Sequence, residues 1–239
     1  MKENLSRKIK AILLDLDGTL LDLNIDPFIK AYLKGLAKCV AHIVPPNKFI
    51  PLLMKASKNM DDNNGQMTNE EVFANAFFPL MGYSREEIEP LFMKFYEDEF
   101  PKLRHYSRQK PEARSLMQIL FERDYDVVVA TTPLLPMTAV EQRLEWAGVA
   151  DFPYKLITSF EIMRATKPNL LYFQQILDII GHKAESCLMV GDENKDMVAA
   201  NLGIWTFLIY SSHTKLDPST PEPNYRGTLA DLKALILES

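Results

Sequence analysis

The sequence has little of what would indicate a disulfide-linked, thiolate-metal or membrane protein. It has only two cysteines in 239 residues, Cys39 and Cys187, without the spacing of a metal site, so both are expected to be reduced core residues. The four histidines do not cluster in the sequence. No apolar run reaches the length of a membrane span, and the amino terminus does not have the pattern of a signal peptide. We therefore expect a cytoplasmic protein with no membrane partner.

A large excess of either charge is also missing. The formal net charge is −5, and charged residues make up 25% of the chain. This balance is usual for a soluble enzyme and gives no basic surface for nucleic acid. Hydrophobic residues make up 47%, which is enough for one large domain or two small ones. We expect no nucleic-acid partner and a monomer or weak dimer.

What the sequence does contain is an apolar run that ends at two aspartates. Residues 8–22 read KIKAILLDLDGTLLD, and the run before Asp15 is typical of a strand buried on both faces. Two carboxylates at a strand end are costly to bury unless they are paired or bind a metal. Gly18 permits a sharp turn close to a ligand. The stretch predicts a strand that presents Asp15, with Asp17 beside it, as nucleophile or metal ligand.

The rest of the chain divides into a helical part and an alternating part. Residues 24–104 carry helical patterns and predict about four helices, whose aromatic and methionine side chains are expected in a core. After Arg104 helices alternate with apolar strands, which predicts a parallel sheet. Strands are predicted at Tyr125–Ala130, Tyr154–Thr158, Ser186–Val190 and Ile204–Ile209, and a surface loop over Ser211–Arg226. The expected organisation is an α/β core of residues 1–23 and 105–239 with an all-α insertion.

Further polar residues follow predicted strands or precede a predicted helix, in a regular order along the chain. Thr131 directly follows the second core strand, and Lys167 precedes Pro168 at a helix start. Asp192 and Asp196 follow a third core strand. Ligands of open α/β sheets lie beyond the carboxyl ends of the strands. These residues are therefore the candidates for one site.

The segment Asp-Leu-Asp-Gly-Thr-Leu at residues 15–20 resembles the first motif of the haloacid dehalogenase-like hydrolase superfamily, and the later candidates match its other motifs in order. The resemblance implies a three-layer, Rossmann-like parallel-sheet core with a helical cap at residues 24–104. It also implies a phosphatase in which Asp15 is the nucleophile and Asp17 the general acid and base. Mg²⁺ would be held by Asp15, the Asp17 backbone carbonyl, Asp192 and Asp196, the last directly or through water.

The resemblance also assigns the residues that hold the phosphoryl group of a small phosphorylated substrate. They are Lys167, the Thr131 hydroxyl and the backbone amides of residues 16–18, which include Gly18, and of Thr132. Thr132 competes with Thr131 for the hydroxyl role. Asp196 could instead only favour the start of its helix. Lys155 and Lys183 are rivals of Lys167, although only Lys167 precedes a proline at a helix start.

Three functions remain open within this interpretation. The first is a Mg²⁺-dependent phosphatase for a small metabolite. The second is a phosphomutase of the β-phosphoglucomutase kind, although its basic phosphate-binding pattern is not evident. The third is a binding protein without catalysis, which would not need all the carboxylates. Dehalogenation is disfavoured, because the dehalogenase branch lacks the aspartate found here at position 17. Lys55, Lys58 and Asn59 are candidate substrate contacts in the helical part.

Overall fold

The computed structural model describes residues 8–210 and 214–238. Its helices are α1 (Ile25–Cys39), α2 (Pro46–Asp61), α3 (Asn69–Met81), α4 (Arg85–Lys94), α5 (Ala113–Glu122), α6 (Met137–Ala147), α7 (Leu170–Ile180), α8 (Asn194–Met197) and α9 (Leu229–Glu238). Its strands are β1 (Ala11–Leu14), β2 (Leu21–Leu23), β3 (Ser107–Gln109), β4 (Asp126–Val129), β5 (Leu156–Ile157), β6 (Cys187–Gly191), β7 (Trp205–Ile209) and β8 (Tyr225–Gly227). Residues 1–7, on which the expectation about the amino terminus rests, lie outside this description.

Six strands form one parallel sheet in the order β5-β4-β1-β6-β7-β8. β1 is central, and every residue in it is buried. Its last residue, Leu14, pairs with Val129 of β4 on one side and Val190 of β6 on the other. The strand order changes direction at β1, and such switch points of parallel sheets open a crevice at the carboxyl ends of the strands.

Side chains of β1 alternate between the two faces of the sheet, as strand geometry requires. Ile12 and Leu14 belong to one apolar cluster, together with residues of α5, α6 and α9. Leu13 belongs to a second cluster with residues of α7. The sheet is thus covered by helices on both faces, and the predicted three-layer α/β core is confirmed.

The helical part leaves and rejoins the core through a short ribbon. β2 and β3 pair antiparallel, with Leu21 opposite Gln109 and Leu23 opposite Ser107. Between them lie α1–α4, followed by a π turn at Phe95–Glu99 and a 3-10 segment at Phe100–Tyr106. The four helices predicted for residues 24–104 are present. Their treatment as a separate domain stays a prediction.

Aromatic packing and one buried amide hold the helical part against the core. The rings of Phe100 and Trp146 stack with centroids 5.2 Å apart. Asn69, at the first turn of α3, is buried, and its Nδ2 donates to the carbonyls of Pro133 and Ala165, each at 3.2 Å. Its Oδ1 accepts from Asn63 Nδ2 at 2.8 Å. The start of α3 is therefore docked on two loops of the core.

One predicted loop was wrong at its end. The proline-containing stretch Ser211–Arg226 was expected to have no strand, but Tyr225–Gly227 forms β8 at the sheet edge beside β7. A three-residue edge strand is held by backbone hydrogen bonds to its one neighbour and needs no apolar run, so no pattern in the sequence predicts it. Residues 211–213 of that loop lie outside the described part of the chain. No helix within residues 8–210 or 214–238 is long and apolar enough to cross a membrane.

Candidate active site

Three neighbouring strands bring the predicted residues to one edge of the sheet. Asp15 extends β1, and its amide donates to the carbonyl of Val190 at 2.9 Å. Thr131 lies just beyond β4, and Asp192 just beyond β6. Leu14 pairs with Val129 of β4 and with Val190 of β6. Asp15 is the next residue along β1 and therefore lies between the ends of β4 and β6. The sequence prediction that these residues converge is met by the geometry.

Lys167 lies between two carboxylates. Its Nζ is 2.7 Å from Asp15 Oδ1 and 2.5 Å from Asp196 Oδ1. The ammonium group is completely buried. Burial acts to lower the pKa of Lys167, but the two carboxylates, Asp15 foremost, raise it above its ordinary value. Lys167 is thus a fixed positive charge between the ends of β1 and α8.

The carboxylates of Asp15, Asp192 and Asp196 form an acidic cluster. Each offers an oxygen, and these oxygens lie within 4.8 Å of one another. Burial, and then the neighbouring charges of Asp15 and Asp196, raise the pKa of Asp192 to about 7. The pKa of Asp196 is also raised, chiefly by burial. Three carboxylates beside one lysine leave negative charge that a divalent cation would neutralise.

Glycine is required where the chain turns around this cluster. Gly18 has a φ of +87°, and a Cβ added there would lie 2.1 Å from Asp192 Oδ2. A Cβ at Gly191 would lie 2.3 Å from the Asp196 carboxyl group. Lys110 Nζ donates to the Gly18 carbonyl, and Thr19 Oγ1 donates to Asp192 Oδ1 at 3.3 Å. The backbone therefore approaches the carboxylates closely on two sides.

Asp17 lies outside the acidic cluster and pairs with an arginine. Arg143 Nη1 donates to Asp17 Oδ2 from α6. The other oxygen, Oδ1, is buried and has no hydrogen-bond partner among the described residues. Burial raises the pKa of Asp17, Arg143 opposes that rise, and Asp15 adds to it. Asp17 is thus a carboxyl group that holds a proton more readily than an exposed aspartate does.

The two threonines after β4 differ in their contacts. The Thr131 backbone carbonyl accepts from the Tyr172 hydroxyl at 2.9 Å and from Thr158 Oγ1 at 2.8 Å, which fixes the end of the strand. The Thr132 hydroxyl is buried and has no partner among the described residues. Both threonines line the cavity described next.

A cavity of 630 Å³ opens directly over Asp15 and Asp17. Asp192, Thr131, Thr132 and Gly18 line its floor, whereas Lys167 lies behind the floor. Its walls come largely from α1–α4, with contributions from α6 and the loop before it. The predicted contacts Lys55, Lys58 and Asn59 do not line it and are exposed on α2. Substrate contact by those three residues is therefore not supported by the geometry.

The sequence model of the haloacid dehalogenase-like hydrolase family matches residues 9–202, which include every candidate residue above. The chain belongs to this hydrolase family. The predicted resemblance is thereby confirmed, and the chain is an enzyme of this family.

Named relatives of this haloacid dehalogenase-like hydrolase are phosphatases. The pyrimidine 5'-nucleotidase PynA of Streptococcus pneumoniae is 27% identical over 96% of this chain and 97% of its own length. A phosphoglycolate phosphatase of Vibrio cholerae is 26% identical over 92% of both chains. A solved phosphatase of the family from Thermococcus onnurineus superposes with a TM-score of 0.60 at 18% identity, over 95% of this chain and 98% of that one. This last likeness shows the fold.

Sequence reasoning missed three residues of the hydrolase site, namely Arg143, Lys110 and Tyr172. A signal existed for Arg143, because it falls on the buried face of α6, four residues from both Ala139 and Ala147. An arginine at a core-facing position predicts a paired charge. Tyr172 likewise lies on the buried face of α7. Lys110 gave no signal, since it stands alone in a polar stretch after β3.

Proposed function

We propose that the enzyme hydrolyses phosphomonoesters with Mg²⁺ as cofactor, through an aspartyl phosphate on Asp15. The observation that carries the proposal is the setting of Asp15. Its carboxylate lies at the floor of the cavity, is hydrogen-bonded to a buried lysine, and shares an acidic cluster with Asp192 and Asp196. The relatives named above are phosphatases, which favours this chemistry over the dehalogenation known from the same fold.

The acidic cluster fits Mg²⁺ in its ligand chemistry. Mg²⁺ prefers oxygen ligands, few carboxylates and several waters. Asp15 and Asp192 would hold it, with the Asp17 backbone carbonyl. Asp196 is engaged through both oxygens, by Lys167 and by the Glu193 amide at 3.1 Å, which favours contact with the ion through water. A bound Mg²⁺ would offset the negative charge of the phosphoryl oxygens near Asp15.

In the first step a carboxylate oxygen of Asp15 attacks phosphorus, and the bond from phosphorus to the ester oxygen breaks. Asp17 gives its proton to the departing alkoxide, which leaves as an alcohol. The raised pKa of Asp17 supports this role as an acid. Arg143 fixes one oxygen of the Asp17 carboxyl group and so limits its rotation.

In the second step Asp17, now ionised, takes a proton from water. The water oxygen attacks phosphorus, the bond to the Asp15 oxygen breaks, and inorganic phosphate is released. Asp17 is protonated again at the end, so the site is restored. The hydroxyl of Thr131 or Thr132 and the backbone amides of Leu16 and Asp17 would hold the phosphoryl oxygens in both steps, and Lys167 would supply positive charge beside Asp15. The Gly18 amide instead donates to the Leu21 carbonyl at 2.7 Å.

We further propose that residues 24–104 form the cap over this site. Three features support it: the antiparallel ribbon of β2 and β3, the docking of Asn69 on core loops, and the share of the cavity wall that α1–α4 supply. A lid in this position excludes water and contacts the leaving group. The substrate would then be a small phosphorylated metabolite selected by the helical part.

The test is phosphate release from a panel of phosphomonoesters, with and without Mg²⁺, by the unaltered protein and by Asp15→Asn. We expect metal-dependent release that Asp15→Asn abolishes while the far-UV spectrum is unchanged. Asp22→Asn is the matched control, since Asp22 is exposed on β2 and does not line the cavity. Turnover in Asp15→Asn at the normal rate would overturn the assignment of the nucleophile.

The intermediate can be trapped with Asp17→Asn and an aryl phosphate, whose leaving group needs no proton. Phosphoryl transfer to Asp15 should proceed and breakdown should stall, so intact-protein mass spectrometry should find one added phosphoryl group. Isomer interconversion without net phosphate release would instead identify a phosphomutase. If neither turnover nor a phosphorylated protein is found, the remaining hypothesis is a binding protein without catalysis.

A further inference from the structure

The walls of the cavity are apolar and aromatic. Six of its rings come from the helical part and define what we call the aromatic wall: Phe28, Tyr32, Phe73, Phe78, Phe92 and Tyr96. The hydroxyls of Tyr32 and Tyr96 bond to each other at 2.8 Å, so the polar atoms of the aromatic wall largely satisfy one another. Flat rings stack well against such a surface.

The mouth of the cavity is apolar as well. Ile25, Ile29, Met54 and Met93 line the cavity, yet they are 39–58% exposed. Large exposed apolar patches mark ligand-binding grooves or interaction surfaces, and these four side chains border a cavity. With a small polar leaving group bound, these side chains would still contact water, and much of the 630 Å³ cavity would remain filled with water. The size and the apolar lining of the cavity therefore fit a bulkier, apolar leaving group.

The charges in the lining disfavour a second anionic group on the substrate. Arg85 is taken by two acids, with Nε 3.0 Å from Glu89 and Nη2 bonded to Glu70. Lys195 Nζ lies 2.5 Å from Glu193. Arg143, the remaining basic residue of the described lining, is bound to Asp17.

Acids outnumber bases in the lining even when the floor aspartates are set aside. The lining acids are Glu70, Glu89, Glu97, Glu161 and Glu193, against three bases. A carboxylate or second phosphate on the leaving group would meet this excess in a poorly solvated space, where like charges repel strongly. The cavity can hold one phosphoryl group at its floor but offers no unpaired cation for another.

From these observations we infer that the leaving group is uncharged and carries a flat ring or similarly bulky apolar group. The inference rests on the proposed phosphomonoesterase activity, and it narrows the substrate class of the same site. A nucleoside 5'-monophosphate has this chemistry, since its nucleoside is uncharged and ends in a flat base. Phosphoglycolate, with its carboxylate, does not have it.

The test compares phosphate esters of primary alcohols, so that the leaving groups are of one chemical kind. The series is benzyl phosphate, a nucleoside 5'-monophosphate, glycerol 3-phosphate and phosphoglycolate, each assayed with Mg²⁺. We expect kcat/KM for the two ring compounds to exceed that for glycerol 3-phosphate by about 10- to 100-fold, as burial of one ring predicts. Phosphoglycolate should be slowest. A higher kcat/KM for phosphoglycolate than for benzyl phosphate overturns the inference.

A charge at the mouth gives a second readout. Met54→Lys places a cation on the rim and should raise kcat/KM for phosphoglycolate relative to benzyl phosphate by about 10-fold. Ile179→Lys is the matched control, since Ile179 is 46% exposed on α7 and does not line the cavity. It should leave the ratio unchanged. An unchanged ratio in Met54→Lys would contradict the charge argument.

Failure of the inference is distinguishable from failure of the proposed function. Hydrolysis of all four esters without a preference for rings would reject the inference and keep the phosphatase. Absence of hydrolysis of every ester would reject the phosphatase, and calorimetric binding to Asp15→Asn then decides the inference. Tighter binding of benzyl phosphate than of phosphoglycolate would uphold the ring site, and the reverse order would reject it.

Discussion

Arg143 donates a hydrogen bond from Nη1 to Oδ2 of Asp17, and the arginine side chain is only 4% exposed. The pair joins α6 to the turn after β1. A buried guanidinium that holds one oxygen of a carboxylate fixes its direction and opposes the rise in its pKa that burial causes. The proton affinity of Asp17 is therefore set by two opposing effects, and this relationship can be tested.

Arg143→Lys should move the pH dependence of turnover to higher pH. Lysine keeps the positive charge but loses the planar guanidinium contact with Asp17. The charge then lowers the pKa of Asp17 less, so the effect of burial prevails and this pKa rises. Asp17 must be ionised to activate water, and the limb of the kcat profile that reflects this ionisation should move to higher pH by about 0.5 to 1 unit. Arg114→Lys, in an exposed pair with Asp151, is the control. Identical kcat profiles for both variants would exclude the positioning role of Arg143.

Lys167→Gln should lower kcat by about 100-fold or more, because it removes the fixed charge beside Asp15 and the developing phosphoryl charge. Lys155→Gln and Lys183→Gln are matched controls from the same part of the chain, and both lysines are exposed. Steady-state kinetics at saturating Mg²⁺ make the comparison. If Lys167→Gln is as active as either control, the lysine assignment is wrong.

Without divalent metal the protein should become less stable as pH rises through about 7. Asp192 binds its proton more tightly in the folded chain, with a pKa near 7, than in the unfolded chain. Its contribution is therefore fully present at pH 4 and below, and is lost progressively as the pH rises from 4 to about 7. The whole loss should be about 4 kcal/mol at most.

Urea unfolding in chelator at pH 5 and pH 8 measures this dependence. Asp192→Asn should reduce this dependence, and the rest should come from Asp17 and Asp196, whose pKa values are also raised. Asp178→Asn, at an exposed residue of α7, should leave the dependence unchanged. Added Mg²⁺ should restore stability at pH 8 in the unaltered protein and much less in Asp192→Asn. Equal stabilisation of both proteins by Mg²⁺ would remove Asp192 from the metal site.

Asn69→Ala should loosen the helical part from the core. The substitution removes the donor to the carbonyls of Pro133 and Ala165 and one of the two acceptors of the Asn63 amide, which keeps its bond to the Met67 carbonyl. The cost should be about 1 to 3 kcal/mol in the free energy of unfolding. Hydrogen exchange should increase first at the start of α3. Asn75→Ala, on the exposed side of the same helix, should change neither quantity. Equal exchange in both variants would show that Asn69 does not dock the helix.

The sequence predicted the floor of the site because the floor is built from local patterns. Asp15, Thr131 and Asp192 each follow an apolar run, and parallel strands bring their carboxyl ends to one edge without further information. Arg143 depends on how α6 lies across β1, and its contact with Asp17 spans 126 positions of sequence. No pattern within one segment contains that orientation.

The sequence predicted the helices of residues 24–104 but not which of their side chains line the cavity. Its aromatic and methionine residues fit a core, and Phe49 and Phe77 are indeed buried away from the cavity. Met54 and Met93 are instead exposed at the mouth of the cavity. The same apolar stripe can face a neighbouring helix or an empty cleft, and only the packing of four helices decides between them. Likewise β2 and β3 are too short to give a strand pattern of their own.

The pairing of Leu23 with Ser107 brings the two ends of an 83-residue insertion side by side on the core. Most of the cavity wall that would contact the leaving alcohol is inserted at that point, whereas the proposed nucleophile, general acid and metal ligands all lie outside the insertion. The proposed catalytic residues and most of the proposed substrate-contacting residues thus lie in separate segments of the sequence. On the proposed function, we expect that replacing the insertion by another of equal length would change the preferred substrate and leave the reaction the same.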